Sequence, residues 1–215
     1  MNDEKITVSP IGDSDNLSSY SRKNFYDEQF SDNPKNDIAV HVVAVFIVTS
    51  GGEVLLQKRS SDKRHNARLI DKTLGGHITY GDDPDYTVMV ETVQELLTPS
   101  IVLRNTDDFA KTHSLLKHYL NTVALIRFDK TREIRVTRTV DGIPHAMTNV
   151  VHMYVGLYDG STKPADNESA GMLYFKLDDL DTEIAATPEQ FTDDLKTLFK
   201  MYKPDLQQLV ATYGA

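Results

Sequence analysis

Gly75-Gly76-His77-Ile78-Thr79-Tyr80-Gly81-Asp82 runs directly into Asp83-Pro84-Asp85-Tyr86-Thr87-Val88-Met89-Val90-Glu91-Thr92-Val93-Gln94-Glu95-Leu96-Leu97. The first half is a glycine-punctuated loop. The second opens with a proline near the first turn and acidic residues facing the helix dipole, and Thr98-Pro99 closes it. This spacing predicts a helix over 83–97. Tyr86, Val90, Val93 and Leu97 fall on one side at 3.6 residues per turn, flanked by Met89 and Leu96. Glu91 and Glu95 stand four residues apart and stack on the opposite face. Two carboxylates one turn apart repel by about 0.2–0.5 kcal/mol unless a cation lies between them. Oxygen ligands at that spacing suit Mg²⁺ or Mn²⁺, whose other ligands are commonly phosphate oxygens. The competing reading is the solvated face of an amphipathic helix.

Outward from this stretch, Ile38-Ala39-Val40-His41-Val42-Val43-Ala44-Val45-Phe46-Ile47-Val48 is almost continuously apolar, the pattern of a strand buried on both faces. Ser50-Gly51-Gly52 turns it into a return strand at Glu53–Arg59. Residues 60–73 form a basic loop with Lys63, Arg64, Arg68 and Lys72, and a short strand at Thr73-Leu74 leads into the glycine pair. Further strands are expected at 119–128, 133–139, 148–157 and 171–176, with His113–Tyr119 as a loop or strand approach. Thr187-Pro188-Glu189-Gln190 reads as a capped start for a C-terminal helix carrying Phe191, Leu195, Leu198, Phe199 and Tyr202. Ahead of the core strand, Lys5–Val8 suits a short edge strand, and 14–36 a polar loop with room for one helical turn. The sum is an α+β fold with a mixed β-sheet between helices, divided into an N-terminal arm (1–36), one domain (37–205) and a C-terminal tail (206–215).

Composition narrows the function. The 215 residues include 23 Lys and Arg against 32 Asp and Glu, a formal net charge of −9, with neither cysteine nor tryptophan. The missing thiol excludes a disulfide scaffold, a cysteine nucleophile, a Cys-ligated zinc site and an iron–sulfur cluster. The acidity argues against nucleic acid as a partner, although a local basic cluster can still hold a phosphate. No run of about 18 apolar residues is present, so no membrane span is expected. The polar N-terminus does not read as a signal peptide, and a cytoplasmic protein is the default.

Gly76 to Thr98 resembles the Nudix box, G-x5-E-x7-R-E-U-x-E-E-x-G-U with U aliphatic. Gly76 sits at the first glycine, Asp82 at the first acid, Glu91 at the glutamate after the arginine, and Glu95 at the last glutamate of the pair. Val90 replaces the arginine, Gln94 the first glutamate of the pair, Leu97 the terminal glycine, and Thr98 stands at the last aliphatic position. The resemblance implies a Nudix fold and a Mg²⁺ or Mn²⁺ site drawn from Glu91, Glu95 and Asp82. It also implies hydrolysis of a small-molecule diphosphate, with Glu95 or Glu168 as the base. In the family the arginine pairs with the first acid; here that acid is the shorter Asp82 and its partner is the apolar Val90, while Gln94 withdraws one possible metal ligand.

Beyond the box the chain is similar to the branch containing isopentenyl-diphosphate isomerase. His41 opens the first core strand where that branch has a metal-binding histidine, and His77 follows the glycine pair where a second one lies. Arg59 and Lys63 have the R-x-x-x-K spacing of residues that contact the diphosphate, and Glu168 precedes an aromatic strand. The resemblance therefore places Arg59, Lys63, Gly76 and His77 at the substrate. Each has a plainer reading: His41 as a hydrogen-bonded structural histidine, Arg59, Lys63 and Glu168 as solvated charges. Isomerisation itself uses a cysteine just before the Gly-His pair, where this chain has Gly75. Three readings stay open: a metal-dependent pyrophosphohydrolase of a nucleoside diphosphate linked to another group; an impaired domain binding a diphosphate or a protein; and an isoprenoid-diphosphate binder. A homodimer is compatible with each.

Overall fold

The computed structural model describes residues 4–63, 65–140, 142–162 and 169–214. Its axis is β3 (Ile38–Val48), which has neighbours along both edges. β9 (Ile143–Leu157) lies parallel to it, in register from Val40↔Asn149 to Val48↔Leu157. β6 (Leu74–His77) and β4 (Glu53–Arg59) run antiparallel to its first and last parts, and β1 (Lys5–Pro10) pairs with its opening residues. Because side chains alternate across a strand, Val40, Val42, Ala44, Phe46 and Val48 enter one core, and Val43, Val45 and Ile47 enter a second on the other face. Two cores explain the near-unbroken apolar run.

The sheet continues outward through β8 (Ala124–Val140), antiparallel to β9, to β7 (Ser100–Leu103), parallel to β8. On the other side β10 (Ser169–Lys176) pairs with β4, as does the short β5 (Ile70–Asp71), and β2 (Ser18–Ser21) pairs with β1. Helix α2 (Pro84–Leu96) covers the second core with Val88 and Leu96. The first core is closed by α1 (Arg22–Gln29), α3 (Thr106–Leu116), α4 (Leu180–Ala186) and α5 (Asp193–Tyr213), through Phe25, Phe109, Leu180 and Leu198 among others. The mixed sheet between helices is the α+β arrangement expected. No helix among the described residues is long and apolar enough to cross a membrane.

Several local elements differ from expectation. The strands expected at 119–128 and 133–139 are one 17-residue strand, β8, whose register shifts between Phe128 and Lys130. That bulge absorbs Asp129 and lets a single strand run through the gap between the two expected ones. His113 lies in α3, which starts where Asn105 accepts from the Asp108 N–H, a cap in an otherwise unremarked polar run. Pro188–Gln190 makes only a 3₁₀ turn. The long helix begins after Thr192, whose hydroxyl accepts from the Leu195 N–H and donates to Asp71. Residues 206–213, expected as tail, continue α5 with Leu206 and Leu209 buried. The residues read as an N-terminal arm supply β1, β2 and α1. Ile6, Val8 and Phe25 are buried in the first core, and Ser21 caps α1 by accepting from the Asn24 N–H.

Candidate active site

The helix carrying the glutamates is turned the opposite way from the expectation set by its apolar stripe. Tyr86, Met89, Val93 and Leu97 are exposed, and the buried side consists of Thr87, Val88, Thr92, Glu95 and Leu96. Glu95 is only 4% exposed. The inner face is built of small and β-branched side chains, and the Thr92 hydroxyl satisfies itself on the Val88 carbonyl at 2.6 Å. Asp83 caps α2 by accepting from the Asp85 N–H, and Asp85 in turn accepts from the Tyr154 hydroxyl at 2.7 Å. Arg104 ties down the same end through Asp83 and Asp85. The helix closes on Leu97 at φ +53°, the left-handed cap that favours glycine.

Glu91 meets the glycine loop directly. A Cβ built on Gly76 would fall within the Glu91 carboxylate, 2.9 Å from its Cγ, so glycine is what lets this side chain lie across β6. At Gly75 the atoms in the way are those of the Lys72 side chain. Glu91 and Lys72 thus lie across adjacent glycines at the wall of a cavity of about 390 Å³. Arg59, Lys63, Gly76, His77 and Glu91 all line it, so the structure brings together five of the residues that the sequence put at the site.

The basic part of the wall is braced from behind. Asp71, almost fully buried, sits 3.2 Å from Arg59 and 3.4 Å from Lys72, and accepts the Thr192 hydroxyl at 2.9 Å. Burial pushes its carboxyl up, but Lys72, Arg59, the Lys72 N–H and Thr192 together outweigh that and hold it below the usual carboxylate range. Arg59 also donates to the His65 carbonyl at 3.2 Å. This part of the wall therefore carries fixed positive charge around the shielded Asp71 carboxylate, a setting that favours phosphate.

A second network supports His77. The Arg138 guanidinium donates to the Tyr26 hydroxyl, which leaves that hydroxyl's own proton for His77 Nε2, 2.5 Å away. Arg138 also donates to His65 Nε2 at 3.2 Å. Burial, then the Arg22 and Arg138 cations, pushes His77 well below its ordinary value. His65 is lowered to about 2 by burial and by Arg138 and Arg59. Both rings are neutral acceptors in this network, and His77 Nε2 is occupied by Tyr26.

Other residues from the sequence reading lie elsewhere. Asp82 is in the exposed turn before α2, with its N–H on the Thr79 carbonyl at 3.0 Å, and is not on the cavity wall. Glu95 is buried one turn beyond Glu91 and is likewise not on the wall. Glu168 lies outside the described residues. His41 is buried between Ser9 Oγ (3.0 Å) and the ring of His152 (3.2 Å), which itself meets Thr131. No group of three or more His, Asp or Glu side chains among the described residues is arranged to hold a metal. Glu91 and Glu95 offer two hard oxygen donors, so a small divalent cation held there would take water and phosphate oxygens as its remaining ligands.

Sequence reasoning missed Lys72, Asp71, Arg138, Asn149 and Asp194 on the wall, and Tyr26 behind it. Arg138 had a signal: it continues the inward alternation Ile134, Val136, Arg138, all buried, where a third apolar residue is the rule.

A family model described as NUDIX domain matches residues 37–195, most of the chain. The chain belongs to the Nudix family. Isopentenyl-diphosphate Delta-isomerase from Serratia proteamaculans (strain 568) is 26% identical over 161 residues, covering 73% of each chain. A crystal structure of a protein from Deinococcus radiodurans has a TM-score of 0.58 at 15% identity, covering 92% of this chain and 98% of that one. The MutT protein from Methanosarcina mazei Go1 has a TM-score of 0.51 at 15% identity, covering 78% and 94%. The two structures share this Nudix fold, and the Serratia relative agrees with the isomerase-like branch read from the sequence.

Proposed function

We propose that this Nudix chain is a pyrophosphohydrolase dependent on Mg²⁺ or Mn²⁺ that cleaves a nucleoside diphosphate linked to another group. The observation that carries the reading is Glu91, laid across Gly76 at the wall of a cavity that also presents Arg59, Lys63 and Lys72. Glu91 and Glu95 would hold the cation, which supplies charge neutralisation and an acidified water when bound. Arg59, Lys63 and Lys72 would bind the phosphate that is not attacked and offset charge on the leaving group. Glu95 or Glu168 would take the proton of the attacking water. His77, neutral and held by Tyr26, would position the glycine loop. The isomerase reaction named for the Serratia relative is not proposed, because this chain has no cysteine to move the proton.

The test is release of phosphate or a monophosphate from a panel of diphosphate compounds with each metal. Turnover that depends on the cation and falls on Glu95→Gln is the expected result. No turnover with either metal, or full turnover by Glu95→Gln, overturns the assignment.

A second reading is a domain that binds a diphosphate without hydrolysing it. It is favoured by Val90 and Gln94 within the box, and by the lack of a third metal-ligating side chain among the described residues. It predicts thermal stabilisation by a diphosphate with no turnover and no calorimetric signal for Mg²⁺ or Mn²⁺. The hydrolase predicts a divalent-binding signal that Glu91→Gln abolishes.

A further inference from the structure

Three buried polar side chains on the cavity wall have hydrogen-bonding atoms with no partner among the described residues. Arg138 on β8, Asn149 on β9 and Asp194 in the first turn of α5 are 6%, 2% and 7% exposed. Arg138 Nε, Asn149 Oδ1 and Asp194 Oδ1 each lack a hydrogen-bond partner among the described residues. Leaving such an atom dry costs about 1–3 kcal/mol, more for a charged group, so native interiors rarely keep three in one place. All three line the same cavity as Glu91 and the basic residues. They come from three separate elements, and apolar Val136, Val151 and Leu198 line the cavity with them.

We propose that Arg138, Asn149 and Asp194 form the subsite for the group linked to the nucleoside diphosphate, and that this group is hydroxylated, a sugar or polyol. The inference rests on the reading of the cavity as a diphosphate site. A second phosphate would be repelled by Asp194. An ammonium would satisfy Asp194 and Asn149 but leave Arg138 Nε–H unserved and place two cations together. A hydroxyl both donates and accepts, so a set of hydroxyls can serve all three residues at once. A flat base finds little to stack on. Among the described lining residues the rings are His65 and His77, and both are packed against Tyr26. The apolar side chains suit the carbon faces of a sugar ring.

Two diphosphate monoesters that differ only in the organic half, glucose 1-diphosphate and n-hexyl diphosphate, test this on the full chain. Binding is measured by calorimetry with Mg²⁺, and phosphate release is followed in parallel. The glucose ester should bind about 10-fold tighter or better. Asp194→Asn and Asn149→Leu, each checked for folding by circular dichroism, should bring the two esters to within about 3-fold without weakening inorganic pyrophosphate binding. Equal affinity of the wild type for the two esters, binding of neither, or an equal loss of pyrophosphate binding in both variants overturns the subsite. A preference for the glucose ester keeps the subsite whether or not phosphate is released, and absence of turnover across the panel of nucleoside diphosphate compounds removes the hydrolase reading alone. Release from both esters at equal kcat/KM does the reverse.

Discussion

The Glu91 carboxylate lies where a Cβ on Gly76 would be. The two residues are 15 positions apart on β6 and α2, and their contact joins the glycine loop to the helix that bears the proposed cation ligands. Gly76→Ala forces the Glu91 side chain to another rotamer. Because a flexible side chain yields more cheaply than backbone, the stability loss is expected to stay near about 1–2 kcal/mol. Misplacing a ligand by about an ångström costs on the order of 100-fold in rate. The variant should therefore melt as one cooperative unit yet lose most cation-dependent turnover. Thermal denaturation and kcat/KM on the same preparation check this; a fall in melting temperature with unchanged kcat/KM would contradict the contact's role.

Asp71 ties together Arg59, Lys72 and the cap of α5 through Thr192. Its folded carboxyl is held below the ordinary value. The stabilisation it provides is therefore present above the unfolded value near about 4 and is lost as pH falls through the folded one. Asp71→Asn at neutral pH strands two largely buried cations and is expected to cost about 3–5 kcal/mol. Urea denaturation at pH 7 and pH 3 should show a large difference between the wild type and the variant at pH 7 and a smaller one at pH 3.

How much was legible depended on whether one signal stood alone. β3 was readable because a run of eleven residues, ten of them apolar, has only one economical home, a strand between two cores. The resemblance lined up Gly76 and Glu91 separately, as a substrate and a metal residue, and gave no sign of the contact between them. The facing of α2 was not readable. Both sides of that helix carry apolar residues, so hydrophobic periodicity was satisfied by the wrong side, Tyr86, Val93 and Leu97. The true inner side hides its polarity in Thr87, Thr92 and Glu95. Asp194 and Asn149 gave no local sign, since their role comes from three distant elements meeting at one cavity.

The orientation of α2 makes a direct mutational prediction. Leu96→Ala opens a cavity in the second core and is expected to cost about 2–5 kcal/mol. Val93→Ala, on the half-exposed outer side, should stay within about 0.5 kcal/mol. Denaturant midpoints decide it. The reverse order would restore the facing expected from the sequence.

Leu97 stands where the family box has glycine, and it holds φ +53° at the helix end with its side chain 58% exposed. A left-handed conformation costs an L-residue about 1–2 kcal/mol, and glycine escapes that while losing more freedom on folding. Leu97→Gly is expected to gain about 0.5–1 kcal/mol, a rise in melting temperature of a few degrees. A fall would mean that the Leu97 side chain makes contacts worth more than the strain.

His41 and His152 share a ring-to-ring hydrogen bond of 3.2 Å between Ser9 and Thr131. Both are lowered to about 4, His41 by burial against a small opposing pull from Asp15, and His152 by burial, then His41 and Arg104, against Asp83. Two cationic rings at that distance are excluded, so the folded protein keeps the pair neutral. The unfolded chain binds protons first as pH falls below about 6.5. Stability is therefore fully present above that pH and erodes down to about pH 4, at up to about 1.4 kcal/mol per pH unit for each ring. His41→Gln removes one of four strongly lowered titrations, the others being His65, His77 and His152. Its unfolding free energy should be lower than wild type at pH 7.5 and should fall about a quarter less steeply between pH 6 and 4.5. Parallel slopes for the two proteins would show that the histidine pair does not carry the acid sensitivity.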